Sequence, residues 1–234
     1  MYISCLLALF LAQATSQPAP ATAPSGVDPQ LWSRMVQINE RGAKIQFLTA
    51  DFTQEKFTPL LKKPLLSSGK IHVSGQVMRW DTAKPEPTVM RVGEKEVELY
   101  YPNQKVVEIY PVDERLGSLA ASPLPRLDIL KQFFRFQEVA GESAAERLAL
   151  KLTPIDPSLA RHVEHVHVLL DVQHGYILRA EMLDADGDRT IITFSNISTG
   201  TRPADESLKI ELPPNVKITR PLEGLQGQQP PQQR

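Results

Sequence analysis

The chain has 234 residues, 41% of them hydrophobic, which suits one domain with a real core and excludes a disordered polypeptide. Its 26 basic and 27 acidic residues leave a formal net charge of -1, so the charge balance does not argue for nucleic acid or an anionic membrane surface as a partner.

Ile3 to Ala12 is an apolar run too short to span a bilayer, and Ala12-Gln13-Ala14 follows it as a small-x-small cleavage pattern. Residues 1–14 are therefore expected to be a secretory signal peptide, although no Lys or Arg precedes the run. Residues 15–27, rich in Pro, Ala, Ser and Thr, read as a flexible linker. The single cysteine, Cys5, sits near the start of the apolar run and not at its end, where a lipid anchor would need it. The exported chain would then carry no thiol chemistry and no disulfide framework.

Asp28-Pro29 places a capping acid before a proline at the first helical position. Leu31, Trp32, Met35, Val36 and Ile38 form one apolar stripe, and Gly42 ends the helix. From Lys44 the period changes to two. Leu48, Ala50 and Phe52 alternate with Thr49, Asp51 and Thr53, and Ile71 and Val73 alternate with Lys70, His72 and Ser74. VMRW, TVMRV, EVELYY and KVVEIY follow, separated by turn residues, so antiparallel pairing is expected. In this reading Met78, Trp80, Met90 and Val92 face inward, with Arg79 and Arg91 on the wet face. Periodicity alone leaves open whether the inward residues pack under the helix or line a cavity.

Leu116 to Pro125 is a break rich in Ser, Ala, Gly and Pro. Leu127, Ile129, Leu130, Phe133 and Phe134 then fall at helical spacing. Strands resume with RLALKLTP, HVEHVHVLLDV, YILRAEML, RTIITFSNIS and SLKIELP, with His174-Gly175 and Asp186-Gly187 as tight hairpin turns. Residues 221–234, polar and of low complexity, read as a disordered tail. The fold class is α+β, mainly β. A curved antiparallel sheet of about ten strands cannot stay flat, so residues 28–220 are expected to form an open half-barrel covered by the N-terminal helix and a short helical lid.

Chemistry-bearing motifs are sparse. His165 and His167 share a strand face and could share a metal, but no third ligand follows at a diagnostic spacing, and the reading is a polar outer face. Asp184-Ala185-Asp186-Gly187-Asp188 looks like the start of a calcium loop, yet its glycine is misplaced and no glutamate closes it, so a hairpin turn is expected. No GxSxG elbow, P-loop, GxGxxG or HExxH is present. No catalytic residue, metal or cofactor is expected.

In order and spacing, several short stretches resemble the LolA-like periplasmic carriers of outer-membrane lipoproteins. They are Ala50-Asp51-Phe52-Thr53-Gln54, Gly69-Lys70-Ile71, Met78-Arg79-Trp80, Pro85 or Pro87, Gly93, Tyr100-Tyr101-Pro102, Leu150-Lys151-Leu152-Thr153-Pro154 and Lys209-Ile210-Glu211-Leu212-Pro213-Pro214. The resemblance implies a lid over a hydrophobic cavity that accepts acyl chains. It also implies a monomeric periplasmic protein whose partners are acylated lipoproteins or other lipids, an inner-membrane lipoprotein-releasing transporter and an outer-membrane acceptor. The cavity is expected to be lined by Phe52, Ile71, Val73, Met78, Trp80, Met90, Val92, Leu99 and Tyr101 from the first half. Val166, Val168, Leu170, Ile192 and Phe194 would line it from the second, with Leu130, Phe133 and Phe134 in the lid. The family's Lys-Arg-Pro turn, whose arginine latches the lid, is absent: that connection reads Val73-Ser74-Gly75-Gln76. Two other readings stand beside the lipoprotein carrier: a carrier of free lipid or glycolipid, and an envelope-sensing or scaffold module using a related half-barrel.

Overall fold

The carboxylate of Asp28 accepts hydrogen bonds from the backbone N–H groups of Gln30 and Leu31, both at 2.9 Å, and starts helix α1 (Pro29–Gly42). Pro29 fits at the first helical position because its missing N–H would have no partner there. The buried face of α1 is Leu31, Trp32, Met35, Ile38 and Gly42. This computed structural model describes residues 23–111 and 122–221. The expected signal peptide, most of the linker, part of the Leu116–Pro125 break and the tail beyond residue 221 lie outside the described residues.

Six strands follow α1: β1 (Phe47–Phe57), β2 (Leu65–Ser74), β3 (Val77–Lys84), β4 (Thr88–Val92), β5 (Glu96–Tyr101) and β6 (Val106–Pro111). Helix α2 (Leu127–Phe133) runs directly into β7 (Phe134–Glu138). Then come β8 (Arg147–Pro154), β9 (Val163–Asp171), β10 (Ile177–Asp184), β11 (Arg189–Thr199) and β12 (Lys217–Thr219). All twelve strands belong to one sheet, in the order β12-β6-β5-β4-β3-β2-β1-β11-β10-β9-β8-β7. Strand β1 is the seam between two meanders, and the sheet stays open, with β12 and β7 at its edges. The result is an open half-barrel. Every pairing is antiparallel except β12 on β6.

Three details differ from expectation. The sheet has twelve strands where about ten were expected. Phe134 is not helical: its backbone is extended (φ -131°, ψ 147°) and it opens β7, where Phe134 and Phe136 pair with Pro154 and Leu152. The segment SLKIELP is not a strand. Its alternation is real, but the segment crosses the convex face instead of pairing as a strand. There Arg91 Nε donates to the Leu208 carbonyl at 3.0 Å and Arg79 Nη1 donates to the Lys209 carbonyl. Ile210 and Val216 pack on Tyr100, Val107 and Ile109, a small core on the outer side of the sheet.

The concave face carries two apolar clusters. The first-half cluster is Leu48, Ala50, Phe52, Ile71, Val73, Met78, Trp80 and Val92, with Phe194 from β11. At its centre the ring of Trp80 lies 4.5 Å from Phe52 and 5.8 Å from Phe194, both edge-on, a geometry that adds to the burial energy. The second cluster joins the buried face of α1 to Leu127, Phe134, Phe136, Leu148, Leu150, Leu152 and Leu170.

A backbone-to-backbone contact fixes the end of α1. Gly175, in the turn between β9 and β10, has φ +84°, and a Cβ there would meet Gly42 N at 2.4 Å and Ile38 O at 2.6 Å. A Cβ on Gly42 would in turn meet Gly175 O at 2.4 Å. Gly187, in the β10–β11 turn, has a similar φ of +92° but open space around it, with only Pro59 at 3.7 Å. Gly187→Ala should therefore cost only the left-handed backbone penalty of about 1–2 kcal/mol. Gly175→Ala should cost clearly more in urea denaturation, because it also pushes α1 off the sheet.

Candidate functional site

The concave face of β7–β11, roofed by α1 and α2, encloses a cavity of about 380 Å³. Met35, Ile38 and Asn39 of α1 and Leu127 and Leu130 of α2 form the roof. The floor comes from Phe134, Phe136, Leu150, Leu152, Val163, Val166, Val168, Leu170, Ile177, Ala180, Met182, Thr190, Ile192 and Phe194, with Trp80 closing the side toward the first half. The volume falls at the small end of ligand sites, roughly 300–1,000 Å³.

Side-chain size helps to explain the space under the two helices. In the first half the inward positions carry Phe52, Met78 and Trp80, which fill the curve of the sheet themselves. In the second half they include Val163, Val166, Val168, Ala180 and Thr190, which leave room below the helices. The few polar groups on the wall are mostly engaged. Asn39 Oδ1 accepts from the Leu127 N–H at 3.0 Å, and Ser122 Oγ accepts from the Leu124 N–H at 3.1 Å. Arg126 is the one charged lining residue; it is exposed and 3.4 Å from Asp128. The wall is an apolar surface with a cation at its rim.

The two roof helices are held differently. Arg34 Nη1 of α1 is 2.9 Å from Glu138 Oε1 of β7, and Arg41 Nη1 donates to the Val172 carbonyl. Together with the Gly42–Gly175 contact these tie α1 to the second half along its length. Helix α2 has one side-chain bond to α1, the Asn39–Leu127 bond. Where it passes into β7, the Phe133 carbonyl accepts from the Ile155 N–H at 2.8 Å.

The family model described as "Outer membrane lipoprotein carrier protein LolA" matches residues 43–211, well over half the chain. The chain belongs to the LolA family. Its fold is also similar to that of an uncharacterized conserved protein from Thermus thermophilus, with a TM-score of 0.52 and 16% identity, over 82% of this chain and 99% of that one. A LolA superfamily protein from Nitrosomonas europaea gives a TM-score of 0.40 at 14% identity, over 75% of this chain and 97% of that one. MucB in the Pseudomonas aeruginosa MucA/MucB complex gives 0.46 at 15% identity, over 76% and 60%. A comparison with curated proteins gives no match.

Against this LolA-family frame the expected residues divide. Trp80, Leu130, Phe134, Val166, Val168, Leu170, Ile192 and Phe194 line the cavity. Phe52, Ile71, Val73, Met78, Met90 and Val92 do not; they belong to the filled first-half cluster. Leu99 and Tyr101 lie on the concave face near the β6 edge, away from the cavity. Tyr101 Oη is 3.4 Å from Glu108 Oε2, which also accepts from Tyr110 Oη at 2.8 Å. Burial and then the Glu108 carboxylate push the Tyr101 hydroxyl above its usual pKa. Phe133 packs against the α1-side cluster without reaching the cavity. Met35, Ile38, Leu150, Leu152, Ile177, Ala180 and Met182 were not anticipated. The sequence signal that was available is the set of small inward residues Val166, Val168, Ala180 and Thr190; Met35 and Ile38 reach the cavity from the buried face of α1, and Leu150 and Leu152 from β8.

The β2–β3 turn contains no latch. Gly75 takes φ +58° and its N–H donates to the Gln46 carbonyl at 2.8 Å. The only side-chain bond from α1 to α2 in the described residues is that of Asn39. His165 and His167 sit on the convex face with ring centroids 4.7 Å apart. Among the described residues no three His, Cys, Asp or Glu side chains are arranged to hold a metal ion. Asp184 to Asp188 is a hairpin turn: the Asp184 N–H donates to the Asp188 carbonyl at 2.8 Å, and Asp188 pairs with Lys56 at 2.9 Å.

Two measurements separate these roles. Phe52→Ala removes the centre of the filled half and should cost about 3–5 kcal/mol of stability, read by urea denaturation. The histidines give a pH dependence. Burial is the main cause lowering the pKa of His72 and of His167; neighbouring basic side chains add to it, and the carboxylates of Asp81 for His72 and of Glu181 and Glu142 for His167 oppose it. The unfolded chain therefore takes up these protons first as pH falls. Stability should be level well above the usual histidine pKa of about 6.5 and decline as pH drops through it. The double variant His72→Gln, His167→Gln should show a smaller fall in Tm on acidification than the parent.

Proposed function

We propose that this chain is a periplasmic carrier that holds acyl chains of lipoproteins in the cavity under α1 and α2 and ferries them from the inner to the outer membrane. The observation that carries the reading is an apolar cavity of about 380 Å³ in a member of the LolA family. Proteins of that family are carriers rather than enzymes. Each methylene moved from water into such a wall gains roughly 0.8 kcal/mol, so an acyl chain is held without covalent bonds or cofactors. The wall offers no paired polar groups for a headgroup. The polar end of the lipid would therefore stay outside, near the exposed Arg126. Loading from an inner-membrane transporter and delivery to an outer-membrane acceptor then need only a site of higher affinity at each end. No described helix is long and apolar enough to cross a membrane.

A carrier of free lipid is the second reading. It is favoured by the missing arginine turn between β2 and β3 and by a cavity at the small end of ligand sites.

Native mass spectrometry of the chain purified from a periplasm without detergent tests both. Adducts spaced by methylene masses are the expected result, lipoprotein-sized for the first reading and lipid-sized for the second. A single clean mass that resists added lipoprotein and phospholipid would sink both. Ala180→Phe sharpens the test: it fills the floor of the cavity, so adducts should be lost while the melting temperature holds or rises.

A further inference from the structure

The β1–β2 hairpin ends in the stretch Pro59-Leu60-Leu61-Lys62-Lys63-Pro64-Leu65-Leu66. Leu60 is 91% exposed, Leu66 60%, Leu65 55% and Leu61 47%. These are four of the seven exposed large hydrophobic residues among the described residues, gathered in one tip. From Lys56 to Lys70 the chain has lysines and no carboxylate. Lys56 is paired with Asp188 and Lys70 with Asp51, at 2.9 and 2.6 Å. Lys62 and Lys63 make no ion pair among the described residues. The net charge of the chain, -1, conceals this local excess of cations.

We infer that this tip docks on a bilayer surface carrying anionic phospholipid. The leucines enter the boundary between headgroups and acyl chains, and Lys62 and Lys63 rest on the phosphates. Apolar side chains bracketing long cationic ones suit that boundary, where the lysine stems lie along the hydrocarbon and the ammonium groups stay wet. A stable protein interface buries about 800 Å² on each side, more than a single hairpin tip offers, whereas a fluid bilayer closes around a narrow wedge. The acidic β10–β11 turn lies beside Pro59, and only Asp188 of its three aspartates is paired with a lysine of this hairpin. The leucines therefore supply most of the attraction and the lysines set its lipid preference.

The location connects the tip to the cavity. Leu65 pairs with Lys56, Lys56 with Thr190, and Thr190 with Met182. Paired residues share a face, so Leu65 continues the concave row in which Thr190 and Met182 line the cavity. Docking the tip brings that end of the cavity to the bilayer surface.

The test is amide hydrogen exchange of the full chain with vesicles of phosphatidylcholine and phosphatidylglycerol, and with vesicles of phosphatidylcholine alone. A local readout over residues 58–66 is not confused by apolar residues elsewhere in the chain. Exchange there should slow several-fold with the anionic vesicles and less with the neutral ones. Leu60→Asp with Leu61→Asp should abolish the protection. Lys62→Glu with Lys63→Glu should weaken vesicle affinity by at least about twentyfold, from roughly fivefold per lysine. Both pairs are exposed, so melting temperatures should match the parent, and either pair serves if the other misfolds. Equal exchange with and without anionic vesicles would overturn the inference and leave the leucines to a protein partner. Parent-like protection in a folded variant lacking both leucines would overturn it as well.

Discussion

A wide curved sheet with one apolar face must have that face covered, and the rest of this structure follows from how little is available to cover it. Among the described residues one fourteen-residue helix and one seven-residue helix are the only helices other than short turns. They cannot roof twelve strands. The first half of the sheet solves the problem with its own side chains, through the Phe52, Trp80 and Phe194 rings across the seam. The second half keeps smaller inward residues and takes both helices. A filled half and a roofed half are two answers to the same hydrophobic demand, and the second leaves room for a guest under the helices.

The two halves meet at the seam, where Trp80 and Phe194 belong both to the filled cluster and to the cavity wall. The roof is also unequal. Helix α1 is bound to the sheet by an ion pair, a carbonyl bond and a glycine-to-glycine contact. Helix α2 is too short to be stable alone and is held to α1 by one side-chain bond. Opening therefore costs least at α2, where Asn39 supplies the one side-chain bond between the two helices.

Much of the fold was legible because local signals agreed with one another. Asp28-Pro29 marked the helix start, period-two alternation marked β1 to β6, and glycines marked the turns. Legibility failed where a pattern had two physical solutions. Phe133 and Phe134 fit a helical stripe, but Phe134 and Phe136 fit a strand equally well, and a free edge on β8 decided for the strand. Leu208, Ile210 and Leu212 alternate as a strand would, yet the segment found carbonyl acceptors for Arg79 and Arg91 on the convex face. The cavity was half legible. Alternation identifies the inward face, but only inward volume distinguishes Phe52 and Trp80 from Val168 and Ala180, and the part of α1 that roofs the site depends on the distant contact between Gly42 and Gly175.

The segment strapped across the convex face also sets where β12 lies. Strand β12 runs parallel to β6, so it heads away from the end of the sheet that holds the leucine hairpin. It lies at the edge farthest from β7 and the roofed half. Strand β12 is thus a part of the sheet from which the protein can be held without touching the cavity or the helices over it.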